Sequence, residues 1–92
     1  MMIVWSDRSI DRLLSIHDYI AEESVSGAAA AIQRIFDSVE QLRMFPHSGR
    51  IVPEYELVDV REIFSKPYRI LYRASGDRVE IINVLHSRQQ LG

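Results

Sequence analysis

Residues 60–88 read VREIFSKPYRILYRASGDRVEIINVLHSR, and this stretch decides the fold. It contains runs rich in β-branched and aromatic residues that are separated by short turns at Lys66-Pro67 and at 75–77. Short turns between strands favour an antiparallel meander. The sequence therefore predicts three antiparallel strands, over residues 57–64, 68–74 and 78–85.

Side chains alternate between the two faces of a strand, so the predicted turns sort the meander into two faces. With turns centred on Lys66 and Gly76, one face is aliphatic and aromatic and is predicted to pack on helices. The other face mixes arginines with aliphatic residues and is predicted to stay open for a partner. The first face carries Val60, Phe64, Tyr68, Ile70, Tyr72, Ile82 and Val84. The second face carries Arg61, Ile63, Arg69, Leu71, Arg73, Ile81, Asn83 and Leu85.

The first half of the chain predicts one strand and two helices. The apolar run 2–5 indicates a strand, and apolar residues at helical spacing predict a helix over 7–22. A second helix is predicted from a cap at Ser26 or Gly27 to about Met44. Because the link between the helices is short, an antiparallel helical hairpin is expected. Residues between this hairpin and the meander are expected to be irregular.

Length and composition indicate a single domain over residues 1–92, since 92 residues suffice for one core only. Hydrophobic residues make up 47% and charged residues 26%, which is ordinary for a globular protein. No apolar run approaches the roughly 20 residues that span a membrane, and the first residues do not form a signal-peptide pattern. The chain has no cysteine, which fits a reducing compartment, so a cytoplasmic location is expected.

The charge of the chain argues against extensive binding of nucleic acid. Ten arginines and one lysine are outweighed by the acidic residues, giving a net charge of -2 and a pI of about 5.9. Nucleic-acid-binding domains are usually strongly basic, because affinity comes largely from neutralising phosphates. No direct nucleic-acid partner is therefore expected, although a local arginine patch stays possible. The three histidines lack the spacing of metal ligands, and neither a metal nor a cofactor is expected.

Seven short segments follow one another along nearly the whole chain. They are WS at 5–6, IHDYI at 16–20, the alanines at 28–31, FPHSGR at 45–50, VREI at 60–63, YRILYR at 68–73 and VLHSR at 84–88. In this order they resemble the RelE/ParE superfamily of toxins from type II toxin–antitoxin systems. The resemblance implies an α+β fold: an N-terminal strand, a two-helix antiparallel hairpin and a three-stranded antiparallel meander, with the helices packed on one sheet face. It also implies neutralisation by an antitoxin that wraps the toxin.

The superfamily has two branches, and the residues bear on the choice between them. One branch resembles ribosome-dependent mRNA endoribonucleases, which need a general base, a general acid and cations around the phosphate. The resemblance to that branch offers Arg61, Arg69, His86 and Arg88 as a catalytic site. This set is incomplete, because 60–62 contain no lysine and the tail after Arg88 contains neither tyrosine nor lysine. The ParE-like branch, whose members inhibit DNA gyrase without an enzymatic activity of their own, is therefore favoured.

The ParE-like interpretation predicts two partners and no membrane. A ParD-like or other antitoxin is expected to place a helix, a strand or both in a groove between sheet and helices, giving a hetero-oligomer. DNA gyrase is the expected target, and its inhibition would arrest growth. The alternatives are the mRNA endoribonuclease and a non-toxic relative that only binds an antitoxin. The predicted target- or antitoxin-binding residues are Arg61, Arg69, Leu71, Arg73, Ile81, Asn83, Leu85, His86 and Arg88.

Several of these residues also have simple structural roles. Arg73 is expected to form an ion pair with Asp59 across the sheet. His86 is expected to bond to the backbone at the end of the last strand more readily than to act in catalysis. His17, on the apolar stripe of the first helix, is expected to be a core or boundary residue.

Overall fold

The computed structural model describes residues 1–55 and 59–88. Its five strands form one sheet in the order β1-β5-β4-β3-β2, in which β1 is parallel to β5 and the other neighbours are antiparallel. This architecture confirms the predicted α+β fold and meander. The elements are β1 (Met2–Trp5), α1 (Asp7–Ala21), α2 (Val25–Glu40), a 3₁₀ turn (Gln41–Arg43), β2 (Arg50–Ile51), β3 (Val60–Ser65), β4 (Tyr68–Ser75) and β5 (Arg78–His86).

Both helices begin at serine caps. The Ser6 hydroxyl accepts a hydrogen bond from the Ser9 amide at 3.1 Å, and the Ser24 hydroxyl accepts one from the Gly27 amide at 2.9 Å. The prediction of a cap at Ser26 or Gly27 was wrong, because the extended backbone that a cap requires occurs at Ser24. The second helix was also predicted too long, since its last turn tightens into the 3₁₀ turn. Within the described ranges, neither helix is long and apolar enough to cross a membrane.

The turn between β3 and β4 corrects the predicted faces of β3. Two residues form this turn, so Ser65 pairs directly with Tyr68. A turn centred on Lys66 alone would have paired the strands one residue out of step, and a one-residue step turns every side chain of β3 to the opposite face. Val60 and Phe64 therefore lie on the face away from the helices, whereas Arg61 and Ile63 lie on the helix face.

A β-bulge corrects the predicted faces of β5. Leu71 pairs with Asn83 while Tyr72 pairs with Ile81, which leaves Ile82 as the extra residue. The bulge turns Ile81 into the core beneath the helices, although it was predicted among the arginines. Ile82 instead packs against the cluster on the opposite face. A bulge of this kind leaves no mark in hydrophobic periodicity, because both isoleucines suit either face.

The main core lies between the helices and the sheet, and the prediction that Tyr68, Ile70, Tyr72 and Val84 face the helices is confirmed. The residues at the centre of this core are completely or almost completely buried. They are Leu13, Ile35, Val39, Leu42, Ile70, Tyr72, Val79, Ile81 and Val84.

The opposite face of the sheet is covered, so the prediction of an open arginine face was wrong. A covering segment, residues 52–55, lies over it, and Val52 and Tyr55 pack with Val60, Leu71 and Leu85. The physical reason is the aliphatic content of this face, because leaving it in water would expose a large apolar patch. The covering segment follows β2, the short edge strand that occupies part of the region expected to be irregular.

Gly49 anchors the chain where it enters β2. Its amide donates a hydrogen bond to the buried Tyr72 hydroxyl at 3.0 Å, and its carbonyl accepts one from Arg61 Nη1 at 2.8 Å. A Cβ atom at this position would lie 2.6 Å from the Glu62 carbonyl oxygen and 2.7 Å from the Tyr72 hydroxyl. Only glycine allows this close approach of backbone to strand, which in turn positions Arg50 and the covering segment.

Candidate partner-binding surfaces

A concave apolar surface, here called the helical groove, runs between α1 and α2. Its cavity volume is about 360 Å³, and the Trp5 and Phe36 rings meet edge to face within it at 5.4 Å between centroids. An apolar groove between two helices suits the apolar face of an amphipathic helix. The groove predicted for an antitoxin lies between sheet and helices, whereas this apolar surface lies between the two helices. Its lining residues are Trp5, Ile10, Leu13, Leu14, His17, Ile32 and Phe36.

The helical groove arises because the apolar stripe of α1 is wider than the core needs. Residues 10, 13, 14 and 17 repeat at helical spacing, yet only Leu13 among them is buried. Leu14 is 58% exposed, and Ile10 also faces solvent. His17 lies at the boundary, as expected, with Nδ1 3.3 Å from the Asp18 carboxylate. Exposed apolar residues that line one concave surface indicate a site for a protein partner.

The second notable site is a network of alternating positive and negative side chains that joins the covering segment to the sheet. Arg69 is only 6% exposed, and its two terminal nitrogens donate to the Glu54 carboxylate at 2.9 and 3.0 Å. Arg69 Nε donates to Glu62 at 2.7 Å, and the other oxygen of Glu62 accepts from Arg50 Nε at 2.5 Å. Bidentate arginine–carboxylate pairing is among the stronger polar contacts in proteins. This charge network therefore fixes the covering segment to the sheet.

The charge network shifts the pKa values of Arg69 and Glu54. Hydrogen bonding to Glu54, and then to Glu62, raises the pKa of Arg69 above its ordinary value against the opposing effect of burial. The hydrogen bond from Arg69 is also the main cause that holds the pKa of Glu54 below its usual range. Arg69 thus keeps its proton, but two carboxylates neutralise its charge. A phosphate reaching Arg69 would have to displace Glu54 first.

We expect the Glu54–Arg69 pair to make the stability of the fold depend on pH. Because the folded pKa of Glu54 is depressed, its contribution is complete above the ordinary glutamate pKa of about 4.3 and is lost as the pH falls through the folded value. Urea unfolding between pH 7 and pH 3 should show that Glu54→Gln is less stable than the wild type at pH 7. The difference should shrink as the solution is acidified.

Glu23→Gln is the control for this experiment, since Glu23 is exposed and forms no ion pair with any residue in the described ranges. It should change stability little at either pH. A Glu54→Gln effect of the same size at pH 7 and pH 3 would contradict the assignment.

The residues predicted to bind a partner are dispersed. Arg73 forms the predicted ion pair with Asp59, with Nε 3.0 Å from the carboxylate oxygen. The Nδ1 atom of His86 accepts a hydrogen bond from the Arg88 amide at 3.2 Å, so the expected backbone bond is present. Arg88 is exposed and Arg61 is half-buried. The buried members of the predicted set are Arg69, Leu71, Ile81, Asn83 and Leu85.

The predicted nuclease residues do not converge on one face. His86 lies opposite Tyr68 on the helix side, whereas Arg69 projects into the charge network on the other side. Arg61 lies opposite Tyr72. Tyr72 is four residues along β4 from Tyr68, the partner of His86, so these two positions of the strand are about 13 Å apart. Sequence reasoning missed Glu54 and Glu62 as partners of Arg69. The correct β3 register would have placed Glu62 beside Arg69, but the approach of Glu54 has no signal in the sequence.

The strand, the helical hairpin and the antiparallel meander together form the architecture expected of the RelE/ParE superfamily of toxins. The family model for the ParE toxin of the type II toxin–antitoxin system parDE matches residues 3–91, and the chain belongs to this family. The similarity of the chain to individual toxins agrees with this family assignment. The chain is 40% identical over 91 residues to the putative toxin Y4kP of Sinorhizobium fredii, covering 96% of this chain and 90% of the relative.

Two toxins of Caulobacter vibrioides are also similar. Toxin ParE3 is 30% identical over 82 residues, covering 89% of this chain and 79% of the relative. Toxin RelE2 is 28% identical over 86 residues, covering 92% and 93%. Among solved structures, a chain of the chromosomal ParDE toxin–antitoxin system from P. aeruginosa superposes with a TM-score of 0.78 at 24% identity, covering 94% of this chain and 95% of that chain. This superposition confirms the fold.

Proposed function

We propose that this ParE-family toxin inhibits DNA gyrase by binding it and is neutralised by a cognate antitoxin. The observation that carries the choice of gyrase over RNA is the state of Arg69. An RNA-cleaving site requires exposed cations close to an acid and a base. Arg69 is instead neutralised by Glu54 and Glu62, and His86 lies across the sheet from it. A toxin without an assembled catalytic site acts by occupying a protein target.

The helical groove supports the proposal of an antitoxin partner. Exposed Ile10, Leu14 and Phe36 line one concave apolar surface, which matches the spacing of anchors on an amphipathic helix. Each apolar side chain buried on binding contributes about 1.5–3 kcal/mol. We place the antitoxin helix in this groove and leave the half-buried Arg73 and the exposed Arg88 for the target. The site of action is the cytoplasm, where gyrase meets DNA.

A supercoiling assay with purified gyrase tests the target. We expect micromolar toxin to reduce the conversion of relaxed plasmid to the supercoiled form, because a bound inhibitor blocks the gyrase cycle. The protein encoded by a short open reading frame beside the toxin gene serves as the candidate antitoxin, and prior mixing with it should restore supercoiling. Unchanged supercoiling in the presence of active gyrase and folded toxin would refute the gyrase proposal.

The alternative function is that of a ribosome-dependent mRNA endoribonuclease, which the 28% identity to a toxin named RelE2 keeps in view. Its predicted site is Arg61, Arg69, His86 and Arg88. Toeprinting on translating ribosomes would detect codon-phased cleavage, and an Arg69→Ala His86→Ala double variant should abolish it. Growth that continues normally after induced expression would instead favour a non-toxic relative that only binds an antitoxin.

A further inference from the structure

A second cavity, here called the α1–sheet cavity, lies between α1 and the ends of β4 and β5. Its volume is about 320 Å³, and its walls combine apolar and polar side chains. The Tyr68 ring packs edge to face against His86 at 6.0 Å between centroids, and Tyr19 stands at the rim with 77% of its surface exposed. The lining residues are Arg12, Ser15, Ile16, Tyr19, Tyr68, Val84 and His86.

The α1–sheet cavity and the helical groove flank the same helix. The groove uses positions 10, 13, 14 and 17 of α1, and the cavity uses positions 12, 15, 16 and 19. Both sets follow the i, i+3, i+4, i+7 pattern, and they are offset by two residues, or about 200° around the helix. A helix is about 10–12 Å across, so the path over its surface from one side to the other is about 16–19 Å, which about five or six extended residues of one bound chain can span.

Arg12 is the unneutralised cation of this cavity. Its guanidinium forms no hydrogen bond or ion pair with any residue in 1–55 or 59–88. The helix supplies no carboxylate at the positions that would reach it, because i-4 is Arg8 and i+4 is Ile16. Arg43, Arg50, Arg69 and Arg73, by contrast, each pair with a carboxylate. A half-buried arginine left with open donors at a cavity mouth is ready to bind an oxyanion.

The charges around the cavity identify the kind of anion. Asp11 and Asp18 lie on the same helix, and the link after α1 carries Glu22 and Glu23. Against these carboxylates α1 carries two arginines, Arg8 and Arg12, whereas nucleic acid requires several cations along its backbone. A single carboxylate needs only one fork of guanidinium donors. The apolar floor formed by Ile16 and Val84 suits the methylene groups of an acidic side chain.

We propose that the α1–sheet cavity binds the carboxylate of an aspartate or glutamate in the antitoxin segment, with Arg12 as its partner. The inference rests on the proposed antitoxin, whose chain crosses α1 after leaving the helical groove. The groove then supplies apolar affinity, and the cavity fixes the register of the bound segment. The hydroxyls of Ser15 and Tyr68, which also line the cavity, are additional donors to the same carboxylate.

The affinity of the toxin for the protein encoded by the adjacent open reading frame tests the inference. Arg12→Gln should weaken binding about tenfold or more at low salt, because the variant loses the hydrogen-bonded charge pair with the antitoxin carboxylate. The loss should decrease at high salt, which screens the pair. Arg34→Gln, the same change at an exposed position of α2, is the matched control and should leave affinity unchanged. Thermal unfolding should confirm that both variants are folded.

The outcomes separate this inference from the proposed function. If Arg12→Gln binds like the wild type while Leu14→Asp does not bind, the cavity proposal is overturned and the groove proposal stands. If the wild-type toxin does not bind the protein, both the cavity proposal and the groove proposal are refuted. Chemical-shift titration with a mononucleotide and a short oligonucleotide forms the second arm. Arg12-dependent binding of either one, with no Arg12 dependence of antitoxin binding, would reassign the cavity to a phosphate.

Discussion

Replacing Arg69 by methionine is expected to lower the free energy of unfolding by about 3–5 kcal/mol. The substitution keeps the aliphatic part of the side chain but leaves the Glu54 carboxylate without its cation and the buried Glu62 carboxylate with Arg50 alone. Removing one partner of a buried ion pair costs this much because the remaining charge stays desolvated. For a domain of this size the melting temperature should fall by more than about 10 °C. Urea unfolding followed by the fluorescence of Trp5 measures the change.

Arg73→Met is the matched control, since Arg73 projects from the same strand and face but pairs with Asp59 in partial exposure to solvent. It should cost about 1 kcal/mol or less. A Glu62→Met Arg69→Met double variant should recover part of the stability, because apolar residues then replace both buried charges. An Arg69→Met variant as stable as Arg73→Met would show that the charge network does not hold the covering segment.

Replacing Leu14 by aspartate should weaken antitoxin binding by at least about a hundredfold. Leu14 is largely exposed in the free toxin, so the fold does not depend on it. In the proposed complex it lies under the antitoxin helix, and the variant both removes apolar burial and places a charge in an apolar contact. Together these effects exceed the roughly 2.7 kcal/mol that corresponds to a hundredfold change. Calorimetry with the purified antitoxin and thermal unfolding of the free toxin measure the two quantities.

Met44→Asp is the control, because Met44 is equally apolar and exposed but lies after the 3₁₀ turn, outside the helical groove. It should bind antitoxin like the wild type. Equal losses for the two variants would mean that the antitoxin does not distinguish the groove from other apolar surface.

The sequence was sufficient to predict the two helices and four of the five strands of the described residues in their order, because these elements depend on local periodicity and on breaks at Gly, Pro and Ser. The strand β2 was not predicted. The α1 stripe and the turns at Lys66-Pro67 and Gly76 were identified from residues that neighbour one another. The face of the sheet on which each side chain lies was harder to predict from the sequence. A two-residue turn and one bulge reversed four β3 residues and two isoleucines of β5, since period-two patterns specify a face only once the register is known.

The candidate site was predictable only in part, for a related reason. Arg69 was predicted to lie on an open face and to bind a partner, but it is buried, and the carboxylates that pair with it come from a different strand and from the covering segment. Such long-range pairing is set by tertiary packing, which local patterns do not contain. The helical groove was not predicted, because its residues have the same spacing as core residues. The spacing of Ile10, Leu14 and Phe36 does not show whether an apolar stripe is buried in the core or exposed for binding a partner.

Because β1 pairs with β5, the last strand of the chain, the sheet is completed only after β5 has been synthesised. Ile3 finds its neighbour Val79 only after most of the polypeptide has left the ribosome. A fragment that stops before residue 78 leaves its first strand without its neighbour in the sheet. Interrupted translation should therefore yield products that lack the complete five-stranded sheet.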